Sequence, residues 1–305
     1  MKSAKIDFQG AIAQSQNLLA QLQADQKGFR LLADLLKAKA GINMIPSEKN
    51  LTLMASRVSS VLKKHGIEGY SEYIKCLNSS PAKYLSEFIF TMTTNTTQFF
   101  RESAHFDFLQ ANFKTILAEK AKRHEYEIRI WCSATSTGQE VYTLLMVILA
   151  QISNLEKWQI RFLASDIDHR VLEKAAAGIY QESDLNEIPN QFHQQFFEHI
   201  QREDRTEVQI KAKYRNLVRF APFNLLTEKY PFQHPFDIIF CRNVLIYFDR
   251  PTAEGVVEKL AQALRPEGLL FLGHSETGFM KSKLVKSLKA GVYQKLGQSR
   301  SDSHE

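Results

Sequence analysis

The order of hydrophobic and polar positions divides the chain into two textures. Up to about residue 92 apolar residues recur at helical spacing. ADLLKAKAGI (33–42) carries such a stripe and stops at Gly41. SEKNLTLMASRVSSVLKKHG (47–66) repeats it between a candidate N-cap, Ser47, and a stop at Gly66. YSEYIKCLNSS and AKYLSEFIFTMTT predict two shorter helices. No period-two alternation interrupts them, so residues 1–92 are expected to form a small all-α domain.

From about residue 126 the texture changes. EIRIWCSA (127–134), WQIRFLASDID (158–168), PFDIIFCRN (235–243) and LLFLGHSE (269–276) read as strands. GQEVYTLLMVILAQI (138–152), VLEKAAAGIY (171–180) and TAEGVVEKLAQALRPEG (252–268) read as helices between them. Strand and helix alternate over short connections, which predicts an α/β fold with a parallel, doubly wound sheet. This second domain is expected over 93–297. The alternation breaks at about 190–221, where EVQIKAKY and NLVRFA read as short antiparallel strands of a small β insertion. The apolar VLIYF after Arg242 and Asn243 reads as a turn or helix rather than another strand, and the last residues, 298–305, as a disordered tail.

Composition narrows the class. A chain of 305 residues with 44% hydrophobic and 24% charged residues suits two globular domains. Its cysteines, Cys76, Cys132 and Cys241, are odd in number and far apart, with no C-x-x-C pair. This predicts reduced thiols in a cytoplasmic protein and no structural zinc. The N-terminus lacks an apolar signal region, and LLMVILA (144–150) is too short to span a membrane. The formal charge of +6 permits an acidic partner without choosing one.

In doubly wound sheets the ligand lies outside the carboxyl ends of the strands. Here those ends read SATSTGQE, SDID, CRN and GHSE, all polar after apolar strand bodies. The first is a small-residue loop opening a helix, neither a P-loop nor G-x-G-x-x-G, with Gly138 expected to let a ligand approach the backbone. Asp166 ends the second strand, where a carboxylate accepts hydrogen bonds from a ribose diol. Asp168 is expected to cap the next helix, and a metal reading of D-x-D lacks a third ligand. A nucleoside without a pyrophosphate, such as S-adenosylmethionine (SAM), fits better than a dinucleotide, because the phosphate-cradling glycines are absent.

Five segments in register then carry a resemblance. TTNTTQFFRE (93–102), IWCSATSTGQEVYTL (130–144), ASDIDHRVLEKAAAGIY (164–180), FDIIFCRNVLIYFD (236–249) and GLLFLGHSE (268–276) closely resemble the CheR family of chemotaxis-receptor glutamate O-methyltransferases, over about residues 28–295. The resemblance implies an N-terminal helical domain, a SAM-dependent catalytic domain and a β-subdomain inserted in it. It implies SAM contacts from Asn95, Thr97, Arg101, Glu140 and Asp166, with Asn224 and Leu225 flanking the adenine and Asn243 and Val244 at the far end of the cofactor, and no metal. The substrate implied is a set of glutamates on the cytoplasmic methylation helices of chemoreceptors. The chain departs from the family in G-Q-E-V-Y-T (138–143), which lacks the usual proline. It also departs in IQREDRTEVQ (200–209), which lacks the glycine of members that dock on a receptor's C-terminal peptide, so independence of that tether is expected.

A glutamate side chain free in water ionises at a pKa of about 4.3, so its carboxylate is already a nucleophile at neutral pH and no general base is required. The catalytic work is placement, with Arg101 as carboxylate clamp and Tyr247 as hydrogen-bond donor to the substrate. His274, Ser275 and Glu276 have the residue types of a catalytic triad, but the reaction needs no such relay, and a structural role is expected. Arg57, Lys63 and Lys64 form a basic helical face suited to acidic receptor segments. The remaining expectations are a monomer, with no nucleic-acid partner and no membrane insertion. Two alternatives stay open on the residues alone: a SAM-dependent enzyme acting on RNA or a small molecule, and a SAM-binding signalling module without turnover. No anion is assigned to Arg242.

Overall fold

The computed structural model describes residues 8–202 and 205–297. The expected tail at 298–305 lies outside them. The chain divides into two compact units, one of residues up to Thr94 together with Tyr247–Asp249, the other of Asn95–Ile246 and the residues from Arg250 onward.

The first unit contains helices α1 (Phe8–Ala24), α2 (Gln26–Ala40), α3 (Glu48–His65), α4 (Tyr70–Ser79) and α5 (Pro81–Met92). Their ends follow local chemistry. Asp25 accepts the Gly28 N–H and Ser47 accepts the Asn50 N–H, each satisfying a donor that the helix start leaves open. Gly41 and Gly66 close α2 and α3 in the left-handed conformation. The apolar stripes bury Phe29, Leu32 and Leu36 from α2 and Met54, Val58 and Leu62 from α3. The Asn43 N–H donates to the Tyr247 carbonyl at 2.7 Å, and Lys37 pairs with Asp249 at 2.7 Å, which joins 247–249 to this unit.

The second unit is built on a seven-stranded sheet. Its strands are β1 (Glu127–Ser133), β2 (Gln159–Asp166), β6 (Val218–Pro222), β7 (Phe236–Cys241), β8 (Leu264–Leu272), β9 (Val285–Lys289) and β10 (Val292–Lys295), in the order β6-β2-β1-β7-β8-β10-β9. The first five run parallel, while β10 pairs antiparallel with both β8 and β9. Every residue of β7 is buried, as expected of a parallel strand covered on both faces. Helices α6 (Ala104–Lys122), α7 (Gln139–Leu149), α8 (His169–Ala177) and α11 (Arg250–Ala263) connect or cover the strands. In α7 all residues from Val141 to Leu149 are buried, the signature of a core helix.

A separate sheet of β3 (Ile179–Gln181), β5 (Arg205–Ile210) and β4 (Phe197–Arg202), in the order β3-β5-β4, is wholly antiparallel. Two short helices, α9 (His193–Phe196) and α10 (Ala212–Arg215), flank it. This small sheet is shifted from the expected boundaries. Of EVQIKAKY only EVQI lies in β5, its AKY opening α10, and NLVRFA, expected as antiparallel, is the parallel edge strand β6 of the main sheet, with Phe162 opposite Val218 and Asp166 opposite Pro222. The reason is topological. The chain from β2 must make a long crossover before it can return parallel, and the small sheet is folded into that crossover. VLIYF contains a short turn of helix at Leu245–Tyr247, as expected.

Candidate active site

Chain order reverses between β1 and β7, which lie side by side with Ser133 opposite Cys241. A crevice at such a switch point is where open α/β sheets bind ligands. Seven non-glycine residues have positive φ among the described residues, and five fall in three short segments here: Phe100 and Glu102, Ala134 and Ser136, and Asn243. Each costs of order 1–3 kcal/mol, so their concentration marks a place where surrounding contacts impose an unusual backbone.

Arg242 supplies much of that imposition. Its side chain is 1% exposed and lies over the rings of Phe106 and Phe240. Nε donates to Glu140 Oε2 at 2.6 Å, Nη2 to the Arg101 carbonyl at 2.8 Å and Nη1 to His105 Nδ1 at 3.0 Å, with Glu102 Oε2 3.6 Å from Nη1. Its anions are therefore Glu140 and Glu102, a pairing the sequence left unassigned. With Nδ1 accepting, the His105 ring is neutral. Burial and the adjacent guanidinium bring its pKa down to about 4. Burial raises the Glu102 pKa, but the Asn243 amide, Arg242 and His274 together hold it below the usual carboxylate value.

The turn after β7 is clasped by Glu276, which is fully buried. Its carboxylate accepts the N–H groups of Gly273, Asn243, Val244 and Leu245 at 2.7–2.9 Å. Burial raises its pKa against those four donors. Glu276 is thus the structural residue expected, holding Asn243 at φ 58° while the Asn243 amide donates to Glu102. Asparagine tolerates this conformation better than most residues.

Asp166 closes β2 and is 7% exposed. Oδ1 accepts the Asp168 N–H at 3.0 Å and Oδ2 the Ser136 N–H at 2.9 Å. Burial raises its pKa, with the backbone donors opposing. A carboxylate has about four acceptor positions, so these donors leave acceptor capacity on Asp166. Asp168 caps α8 through the Arg170 N–H, as expected. Its Oδ2 also takes the Asn95 amide at 3.4 Å, and the Asn95 carbonyl accepts Ser136 Oγ at 2.9 Å. The 95–101 segment is thereby fixed beside the loop after β1.

Other expected residues fall as follows. Glu140 sits in the first turn of α7, between Arg242 and the Cys132 thiol, which donates to Oε1 at 3.3 Å. Asn224 and Leu225 follow β6, with Asn224 Oδ1 accepting the Leu226 N–H and the Phe223 N–H donating to the Asp166 carbonyl. Val244 is in the clasped turn, and Thr97 is half-buried between Asn95 and Arg101. The Arg101 guanidinium donates to Thr96 O at 3.1 Å, and no carboxylate lies in ion-pair range of it among the described residues. Tyr247 falls in the other compact unit, following Asn243 through the turn. There, too, Arg57 donates to the carbonyls of Met92 and Thr93 and to Thr94 Oγ1, and Lys64 pairs with Glu87. Lys63 is at the exposed C-terminal end of α3.

Gly138 has a reason other than the one expected. Its φ is 99°, and a Cβ would lie 2.8 Å from the Tyr180 hydroxyl and 3.0 Å from the Ala175 Cβ. Its left-handed backbone and close packing against the crossover are sufficient to require this glycine. Sequence reasoning missed Glu102 and His105. The signal for Glu102 was present, as an acid directly after the arginine that ends N-T-T-Q-F-F-R.

Glu102, His105 and His274 place possible ligand atoms within 4.8 Å of one another. The His105 Nδ1 lone pair already accepts from Arg242, whose fixed charge opposes a second cation there. Arg242 pairs with both Glu102 and Glu140, Asp168 pairs with Arg170, and Asp166 and Glu276 accept backbone N–H groups. A surplus of carboxylate around polar strand ends suits a nucleoside with positive charge.

Fold and site thus define a nucleoside-binding α/β enzyme of the methyltransferase type. The family model "CheR methyltransferase, SAM binding domain" matches residues 95–293, and "CheR methyltransferase, all-alpha domain" matches residues 27–93. The chain belongs to the CheR methyltransferase family and is a SAM-dependent methyltransferase. A chemotaxis protein methyltransferase of Borreliella burgdorferi is 38% identical over 84% of this chain and 89% of its own length. One of Escherichia coli is 36% identical over 81% of this chain and 83% of its own. A solved SAM-bound amino pentose methyltransferase from Micromonospora echinaspora is 13% identical, with a TM-score of 0.30, over 59% of this chain and 58% of its own. Among the described residues no helix is long and apolar enough to cross a membrane.

Proposed function

We propose that the protein transfers a methyl group from SAM to glutamate side chains on the methylation helices of chemoreceptors, giving methyl esters. The observation that carries this reading is Arg101. Its guanidinium has no carboxylate partner among the described residues, while its backbone is held by Arg242 beside the polar strand ends. The donor set fits SAM: Asp166 retains acceptor positions for ribose hydroxyls, Asn224 and Leu225 border the adenine side, and the carboxylate surplus suits a sulfonium and an ammonium. Bound SAM supplies an electrophilic methyl group.

The protein's own residues do the placing. Arg101 binds a carboxylate, that of the methionine moiety or of the substrate, and aligns it by a forked pair of hydrogen bonds. The Tyr247 hydroxyl donates to the substrate oxygen and orients it. Asn95 and Thr97 line the loop that Arg101 ends, Glu140 faces the cationic end of the methionine moiety, and Asn243 and Val244 close the far side. No residue has to remove a proton, because the attacking carboxylate is ionised at neutral pH. We further assign the helical region, residues 1–92, to receptor docking through Arg57, Lys63 and Lys64, and residues 93–297 to catalysis. Because IQREDRTEVQ lacks glycine, methylation is proposed to be independent of a receptor C-terminal peptide.

Arg101→Ala tests the central assignment. Base-labile tritiated methyl ester on receptor membranes should fall to background while the far-ultraviolet circular dichroism is unchanged. Near-wild-type transfer would remove Arg101 from the reaction. Receptors with and without their C-terminal peptide should be labelled at equal rates. A base-stable label on RNA would instead favour an RNA methyltransferase.

A further inference from the structure

Lys259, on α11, has an unusual set of partners for a surface-helix lysine. Its Nζ donates to the Leu225 carbonyl at 3.0 Å and the Thr227 carbonyl at 2.8 Å, and lies 5.1 Å from the centre of the Tyr230 ring. The Tyr230 hydroxyl donates to the same Leu225 carbonyl at 3.1 Å. No carboxylate pairs with Lys259 among the described residues, and burial lowers its pKa. A lysine has three N–H donors, and two of them go to one five-residue loop.

That loop, 223–227, is short, and its backbone ties are few and local, with Leu225 buried. Asn224 bonds locally to Leu226, and the Thr227 N–H returns to the Asn224 carbonyl. At its start the Phe223 N–H is tied to the Asp166 carbonyl. The loop is thus anchored at one end to the ribose carboxylate's own backbone and at the other to Lys259 and Tyr230. At its start Phe223 joins Trp131, Phe232 and Tyr230 in a cluster of edge-to-face ring contacts that packs the Tyr230 ring.

We propose that Lys259 is a positioning residue for the adenosyl half of SAM, assisted by Tyr230: together they fix the backbone of Asn224 and Leu225 against Asp166. The proposal rests on the assignment of Asn224 and Leu225 to the adenine. Lys259 touches no ligand itself, so its removal acts on nucleoside affinity and leaves the methyl-transfer step alone.

The test uses the full chain with Lys259→Met and, as a milder change, Tyr230→Phe. Calorimetric binding of S-adenosylhomocysteine and of adenosine should weaken by the same factor, about tenfold for Lys259→Met, the scale of lost charge-assisted hydrogen bonds transmitted in part. Tyr230→Phe should cost about threefold. KM for SAM should rise with kcat unchanged. A purely structural role would instead lower the folded fraction, and with it kcat, without raising KM. Hydrogen exchange on the wild type separates the two layers of inference. If S-adenosylhomocysteine protects 224–227 but both variants bind it within twofold of wild type, the role of Lys259 is overturned. If it leaves 224–227 unprotected, the adenine assignment falls, and the proposal falls with it. Should Lys259→Met fail to fold, Tyr230→Phe decides by the same criteria.

Discussion

The catalytic unit buries ionic clusters at both ends of its sheet, and they are built differently. At the amino end Asp237 of β7 accepts from Lys120 Nζ at 2.7 Å and from the Arg129 N–H at 2.7 Å, and it forms an ion pair with Arg265 Nε at 3.1 Å. Glu125 lies within reach of both Lys120 and Arg265. Two cations meet two carboxylates here; the β7–β8 register shifts between Phe236 and Ile238, and two non-glycine residues, His124 and Glu267, have positive φ nearby in sequence, against five at the other end. At the carboxyl end Arg242 meets Glu140 and Glu102, while Glu276 and Asp166 accept backbone N–H groups of the neighbouring turns. Backbone at Phe100, Glu102, Ala134, Ser136 and Asn243 is forced into left-handed conformations there. A balanced cluster closes a structure. An unbalanced one set among strained turns leaves charge and lone pairs for something else to satisfy.

Arg242→Met is the largest expected break in this comparison. It leaves Glu140 and Glu102 without their cation and frees the Arg101 carbonyl. Removing one partner of a buried ionic group typically costs about 3–5 kcal/mol. The loss should appear in urea denaturation, and methyl transfer should fall at least about a hundredfold because Arg101 and Glu140 both lose their fixed positions. A variant as active as wild type would show that the carboxyl-end cluster serves folding alone.

Asp237→Ala should be comparably destabilising, about 3–5 kcal/mol, because Lys120 and Arg265 lose their buried carboxylate and keep only the half-exposed Glu125 between them. Below the melting transition, however, KM for SAM and kcat should stay within about twofold of wild type, a margin worth under 1 kcal/mol. If activity fell tenfold or more in the folded variant, the two ends would be coupled and the contrast between them lost.

The same contrast separates what was legible in the sequence from what was not. Caps and stops read correctly because each is local: Ser47, Gly41, Gly66 and Asp168 act on N–H or carbonyl groups within a few residues. The polar strand ends were legible because the carboxyl halves of β1, β2, β7 and β8 are almost wholly buried, so a sudden polar residue stands out. Glu276 was recognised as structural only by chemical elimination, since nothing in GHSE states that four backbone N–H groups converge on it. The Arg242 cluster was illegible. Glu102 and His105 are neighbours three residues apart, but Arg242 and Glu140 are 102 residues apart, and no periodicity links them to each other or to that pair. NLVRFA misled for another reason. An edge strand is half-covered and alternates like an antiparallel one, so its pattern cannot report the direction of its partner.

The smallest expected effect concerns His105, the neutral member of the carboxyl-end cluster. Its pKa is about 4 in the folded protein and about 6.5 when unfolded. Between those values the unfolded chain binds the extra proton and the folded one does not. The contribution of His105 is therefore fully present above pH 6.5 and is lost as pH falls toward 4. His105→Asn retains an acceptor for Arg242 Nη1 but cannot titrate. Denaturation midpoints measured from pH 7 to pH 4 should fall less steeply in the variant, the difference in slope approaching one proton. Equal slopes would mean that the folded protein admits the proton at His105. The cluster would then hold one more positive charge than the geometry assigns, and its surplus of carboxylate over cation would shrink by one.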